Sequence, residues 1–262
     1  MKSTGVKMFN DLKNEREIWL WFFILVVIAY FLSGVIGCNT LNKPDQSLVL
    51  PVINSPIPRP TVTPIAVTVS YPQKGWISDY DDYIKGMVTE RMLNQPNIRM
   101  TQFCDAWPTM NVDQKKQMYA DLLYSIAYPE SNYNNLNIYL ESTMSKDELT
   151  GLPTMSEGME QLSYQDTKTY GSGCAFDWKK DYKNLKDDID HGRSYSAHPE
   201  RDTLNPYLNL KCAMTIIDFH LKISSKEFAD SLAQYWYTMN RKHGEDYSMV
   251  WSKMRERRSV CH

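Results

Sequence analysis

Apolar side chains recur at helical intervals along three stretches of this chain between 112 and 242. Met118, Leu122 and Ile126 fall on one face of a helix expected over 112–128, because residues four apart stand one turn above each other. Asn111 or Asp113 is placed to cap its first backbone N–H groups. Leu210, Met214, Ile217 and Leu221 mark a second helix over 206–222, and Phe228, Leu232 and Tyr235 a third over 225–242 with Ser225 as its N-cap. A last helix is expected over 246–258. These stripes read as core faces. Between Asn132 and Met159 the helical period fails, and Gly151, Pro153 and Gly158 interrupt the chain, so short strands or loops are expected there. The pattern predicts an α+β domain, predominantly helical, with a small β or irregular wing and no internal repeat.

The N-terminal part follows a different pattern. Residues 18–37, IWLWFFILVVIAYFLSGVIG, carry no charge, and about 20 such residues cross a bilayer core. Lys2, Lys7, Lys13 and Arg16 precede them, which favours a cytoplasmic N-terminus. The stretch ends in Val35-Ile36-Gly37-Cys38, which resembles the bacterial lipobox and implies cleavage before Cys38 and lipidation of its sulfur. An uncleaved transmembrane anchor is the alternative, since a signal peptide's apolar region is typically about 7–15 residues. Both readings place the remaining chain outside the cytoplasm, on the membrane of a bacterial cell envelope. Seven of the thirteen prolines follow within 39–74. Proline supplies no backbone donor and fixes φ, so this segment reads as a semi-extended linker, with one edge strand over 61–69 as the alternative. The expected organisation is therefore a membrane segment over 1–38, a linker over 39–74 and a globular domain over 75–262.

Composition narrows the chemistry. A net charge of −2 with no long basic block gives no reason to expect a nucleic-acid partner. The 17 Tyr and 7 Trp can pack a core or floor a sugar site. After Cys38 there remain Cys104, Cys174, Cys212 and Cys261, an even number that fits two disulfides in an exported domain. Three pairings can be drawn, and Cys174–Cys212 with Cys104–Cys261 is the one expected. No Cys or His spacing matches a zinc site, and the run Asp187-Asp188-Ile189-Asp190 misses a calcium loop. No metal or other cofactor is expected.

The segment Leu122–Asn134 reads LLYSIAYPESNYN. An apolar helix runs into Pro129, and Glu130 stands at its end, screened from water wherever Tyr124, Ile126, Tyr128 and Tyr133 face it. Desolvation raises a carboxyl pKa, and such a group can deliver a proton to a leaving oxygen near neutral pH. Three further segments follow: SEGMEQLSY at 156–164, LNPYLNLKCA at 204–213 and LAQYWY at 232–237. In order with Glu130-Ser131, these resemble the soluble lytic transglycosylase family of the lysozyme superfamily, over a core of 113–243. That family has an apolar helix ending in Glu-Ser, a Gly-x-x-Gln-(Leu/Ile) motif, an Asn-(Ile/Leu) helix start and a late Tyr.

The resemblance implies a lysozyme-like fold whose cleft binds the glycan strands of peptidoglycan. It assigns Glu130 as the catalytic acid and Ser131 as its neighbour. Gln161 would reach the substrate, with Tyr164 following it in the same motif. Asn209 would support the cleft, and Tyr235 would orient the catalytic carboxyl. The sequence departs from the family at Glu160, where Met is usual, and at Tyr164, where Pro is usual. Trp236-Tyr237-Thr238 also replaces an Asn-Ala-Gly. The implied reaction is cleavage between N-acetylmuramic acid and N-acetylglucosamine. One Glu gives a proton to the bond and then takes one from the C6 hydroxyl, leaving a 1,6-anhydro end. Glycosidases more often use two carboxylates, and Glu157 is the candidate second carboxylate for a muramidase-type hydrolase. A non-catalytic peptidoglycan-binding protein of the same fold is the remaining alternative.

Overall fold

A computed structural model describes residues 74–242, 244–257 and 259–261. The apolar stretch, Cys38 and the proline-rich segment lie outside the described residues. Among the described residues no helix is long and apolar enough to cross a membrane.

The domain is built on helix α4 (Val112–Ser131), the longest of those described. It begins in a reciprocal cap: the Gln114 N–H donates to Asn111 Oδ1 at 2.9 Å, and the Asn111 N–H donates to Gln114 Oε1 at 2.9 Å. That arrangement satisfies two N–H groups that a helix start leaves orphaned. Met118, Leu122 and Ile126 are wholly buried, together with Tyr119 and Leu123. Before α4 come three short helices: α1 (Ser78–Met87), α2 (Glu90–Leu93) and α3 (Asn97–Met100). After it comes an antiparallel pair, β1 (Ile138–Leu140) and β2 (Met155–Glu157), in the register Ile138 opposite Glu157 and Leu140 opposite Met155. Helices α5 (Asp166–Tyr170) and α6 (Trp178–Asp190) complete the wing side. Helix α7 (Pro206–Ile223) packs against α1, and α8 (Phe228–Leu232) and α9 (Gly244–Glu256) close the chain, with α9 lying along α4. The fold is mostly helical with one small two-stranded sheet.

Three boundaries differ from the sequence expectation, each for a local reason. Helix α4 continues through Pro129 to Ser131. Proline costs a helix one N–H bond, but here the end is closed from beyond by Asn132 and Tyr133, both at positive φ. Their N–H groups return to the carbonyls of Tyr128 (2.8 Å) and Ala127 (3.3 Å). The helix expected over 225–242 is instead α8 followed by an irregular turn and a 3₁₀ turn at Tyr237–Met239. Ser225 does not cap it; Glu227 stands at the N-cap of α8. The break falls at Trp236, whose backbone turns extended while its buried indole donates to the Glu160 carbonyl at 3.1 Å. The last helix runs from 244 to 256 rather than 246 to 258.

Both expected disulfides form, Cys104–Cys261 and Cys174–Cys212. The first ties the chain end to the segment before α4, and the second ties α7 to the turn after α5. Each closes a long loop, of 157 and 38 residues, and such links typically contribute about 2–4 kcal/mol by restricting the unfolded chain.

Candidate active site

Glu130 stands in the last turn of α4 and opens on a cleft of about 350 Å³ between the helices and the wing. Asn137, Tyr139, Glu141, Ser156 and Gln161 line the wing side, and Tyr235, Trp236 and Tyr237 line the other. Thr238 Oγ1 donates to Glu130 Oε1 at 2.9 Å. Burial pushes the Glu130 carboxyl up to about 7, against the pull of that Thr238 bond and with a smaller push from Asp246 and Glu141. Glu130 therefore holds a proton near neutrality beside an open groove, as a general acid requires.

The rings that screen Glu130 are not those expected. Tyr124 and Tyr128 lie six and two residues before it, which at 3.6 residues per turn places them toward the opposite side of the helix. They face α9 instead: Arg257 sits 4.8 Å above the Tyr124 ring and Lys253 4.1 Å above the Tyr128 ring. Tyr133 stacks on Tyr124. The aromatic walls come from Tyr235, Trp236, Tyr237 and Tyr139. Tyr139 and Tyr237 are both more than half exposed.

Gln161 reaches the cleft from a tight turn. Glu157 and Leu162 exchange backbone hydrogen bonds at 2.8 and 2.9 Å, and the four residues between them fold back. Gln161 takes φ +52°, and its amide donates to the Gly158 carbonyl at 2.8 Å. A non-glycine residue at positive φ is strained, and such strain gathers at functional sites. The turn is clamped from behind by Asn209 of α7. Its Nδ2 donates to the carbonyls of Glu157 (3.1 Å) and Thr203 (3.0 Å), and its Oδ1 accepts from the Glu160 N–H at 3.0 Å. Asn209 is wholly buried, so it supports the cleft and does not line it. Gly158, at φ +78°, leaves room for this clamp: a Cβ there would meet Asn209 Nδ2 at 2.4 Å and the Thr203 carbonyl at 2.7 Å. Replacing Gly158 by Ala should cost about 2–4 kcal/mol, the sum of a left-handed penalty and disrupted buried hydrogen bonds. Thermal unfolding checks this.

Of the other expected site residues, only Tyr235 lines the cleft. Ser131 is buried and donates back to the Ala127 carbonyl at 3.1 Å. Tyr164 is a core residue whose hydroxyl donates to Asp181 at 3.0 Å. Tyr235 lines the cleft, but its hydroxyl donates to Asp166 Oδ2 at 2.6 Å, and the oxygen on Glu130 comes from Thr238. Glu157 is wholly buried, paired with Arg201 at 2.9 Å and bonded by Thr203. It is a structural carboxylate and is not available to hold a water in the cleft. Its place there is taken by Glu141, which accepts from Ser156 Oγ. Thr238 and Glu141 carry no local sequence signal, since each reaches the site from a distant segment. Among the described residues, Asp187, Asp188 and His198 bring ligand atoms within 4.8 Å of one another. Arg193 bridges Asp187 and Asp188 at 2.7 and 2.8 Å, so the acidic charge already has a cation.

Helices surround a small antiparallel wing, with a half-buried acid at the floor of the groove. Solved structures of the protein Bd0314 DslA share this fold. The wild-type form superposes with a TM-score of 0.53 at 19% identity, covering 71% of this chain and 94% of that one. Two variants of DslA, each with one glutamate replaced by glutamine, match equally, at TM-scores of 0.52 and 19% identity. They cover 70–71% of this chain and 91–94% of theirs. No protein-family model and no curated protein matches the chain.

Proposed function

We propose that this protein cleaves the glycan strands of peptidoglycan as a lytic transglycosylase, with Glu130 as acid and then base. The observation that carries the reading is a single carboxyl kept protonated to about pH 7 at the floor of an open, aromatic-walled cleft. In the proposed reaction Glu130 gives its proton to the glycosidic oxygen between N-acetylmuramic acid and N-acetylglucosamine. The Thr238 hydroxyl holds the carboxylate that remains. Glu130 then takes the proton of the sugar's C6 hydroxyl as that oxygen closes a 1,6-anhydro ring. Tyr139 and Tyr237 offer exposed rings on which sugar faces pack. The two disulfides suit a domain exported from the cytoplasm. Tethering by residues 18–37 or a lipidated Cys38 would hold the domain at the membrane.

A hydrolase is the second reading, and Glu141 is the observation that favours it. Glu141 lines the cleft with Glu130, eleven positions further along the chain. The two glutamates replaced in the DslA variants are also eleven positions apart. A second carboxylate opposite the acid can activate a water. Mass spectrometry of products from purified peptidoglycan separates the readings. Anhydro ends support the transglycosylase and reducing ends the hydrolase using Glu141. Binding without release would leave a peptidoglycan-binding protein and overturn both.

A further inference from the structure

Glu160 is a wholly buried carboxyl on the turn that carries Gln161 into the cleft. Its backbone is held from two sides, by Asn209 Oδ1 on its N–H (3.0 Å) and by the Trp236 indole on its carbonyl (3.1 Å). Its side chain is different: among the described residues neither Oε1 nor Oε2 has a hydrogen-bond partner. A buried carboxylate in that state is untenable, because an ion without water or a counter-charge loses its solvation. The group therefore keeps its proton. The charge of Glu130 acts on it through the interior in the same direction, holding that proton more firmly once Glu130 has lost its own. A neutral acid differs from a carboxylate in having an O–H to give.

We propose that Glu160 is a positioning residue for the acid, a proton-bearing buried carboxyl that turns its O–H toward Glu130 when Glu130 is ionised and stabilises the carboxylate left by proton donation. The inference rests on Glu130 as the acid. It assigns the second hydrogen bond to that carboxylate, beside the one from Thr238. The other groups acting on Glu130 are Glu141 on the wing and Asp246 on α9, both acidic, while Tyr235 beside it donates to Asp166. None of these supplies the developing charge with a donor.

The test is a titration of the resting full-length protein labelled with [¹³C]glutamate, the Glu130 carboxyl signal being assigned by its loss in Glu130→Gln. Glu160→Gln keeps a neutral donor and should leave the Glu130 midpoint in place. Glu160→Met, unbranched and apolar, removes the donor and should move that midpoint up by about one pH unit. The Glu160 signal of the wild type should show no ionisation through the range in which Glu130 titrates. A Glu130 midpoint unmoved or lowered in Glu160→Met overturns the proposal, as does ionisation of Glu160 near neutrality. The readout needs no turnover, so a wild-type protein that releases no glycan would count against the proposed reaction alone. Thermal unfolding of both variants confirms that they fold.

Discussion

Replacing Glu130 by glutamine should reduce the release of soluble fragments from purified peptidoglycan by about 10²–10⁴-fold, the range a positioned acid contributes, while binding to the insoluble wall persists. Glutamine keeps the shape and the capacity to accept from Thr238, so the cleft should stay in place. The same change should stabilise the protein, by an amount that grows as pH rises from about 4.5 to 7 and is complete above it. The folded carboxyl is raised to about 7 from an ordinary value of 4.5. A group raised on folding favours the folded state when protonated, so its advantage is complete below the unfolded value and is lost as pH rises through 7. At pH 8 the wild type carries the cost of a buried charge, and Glu130→Gln should be more stable by about 2–3 kcal/mol. At pH 4 the two should unfold together. A variant that loses both activity and stability would mean that Glu130 is structural.

Removing Arg201 should have the largest effect on stability. Its side chain is wholly buried, with Glu157 at 2.9 Å and Asp188 at 3.3 Å, and both carboxylates are also wholly buried. Asp188 keeps Arg193 at 2.8 Å and Ser196 at 2.5 Å, whereas the Glu157 carboxylate keeps, among the described residues, only Thr203. Arg201→Ala thus orphans a charge inside the wing, which typically costs about 3–5 kcal/mol. At about 2–4 °C of melting temperature per kcal/mol for a domain of this size, the loss is on the order of 10 °C. It should be smaller at pH 5 than at pH 8, because the orphaned carboxyl can take up a proton. Calorimetry at the two pH values checks both the size and the sign. Since Glu157 ends the strand that leads into the Gln161 turn, the variant should also bind glycan more weakly.

The parts of this molecule legible in its sequence are those in which neighbouring residues carry the information. The stripe of α7 was visible because one helix face is more buried than the other, whereas residues 118–127 of α4 are buried all round and showed as a run of mostly apolar residues. The cysteines paired as expected, and Glu130, singled out by its order among the later motifs, lies in the cleft at the end of the apolar helix. What failed to show depends on contacts between distant segments. Ser131 adjoins Glu130, but one residue is about 100° of helix, enough to aim its hydroxyl back at Ala127. The helix over 225–242 is cut short because the Trp236 indole finds the Glu160 carbonyl, 76 positions away. Thr238 makes the hydrogen bond to Glu130 expected of Tyr235, whose hydroxyl turns to Asp166 instead. Glu157 looked catalytic beside Gly158 because its partner Arg201 lies 44 positions on.

The rate of glycan release against pH is the measurement closest to the central claim that Glu130 acts as a protonated acid. It should fall through a single ionisation near pH 7. A rate that is flat across neutrality, or that rises with pH there, would contradict it.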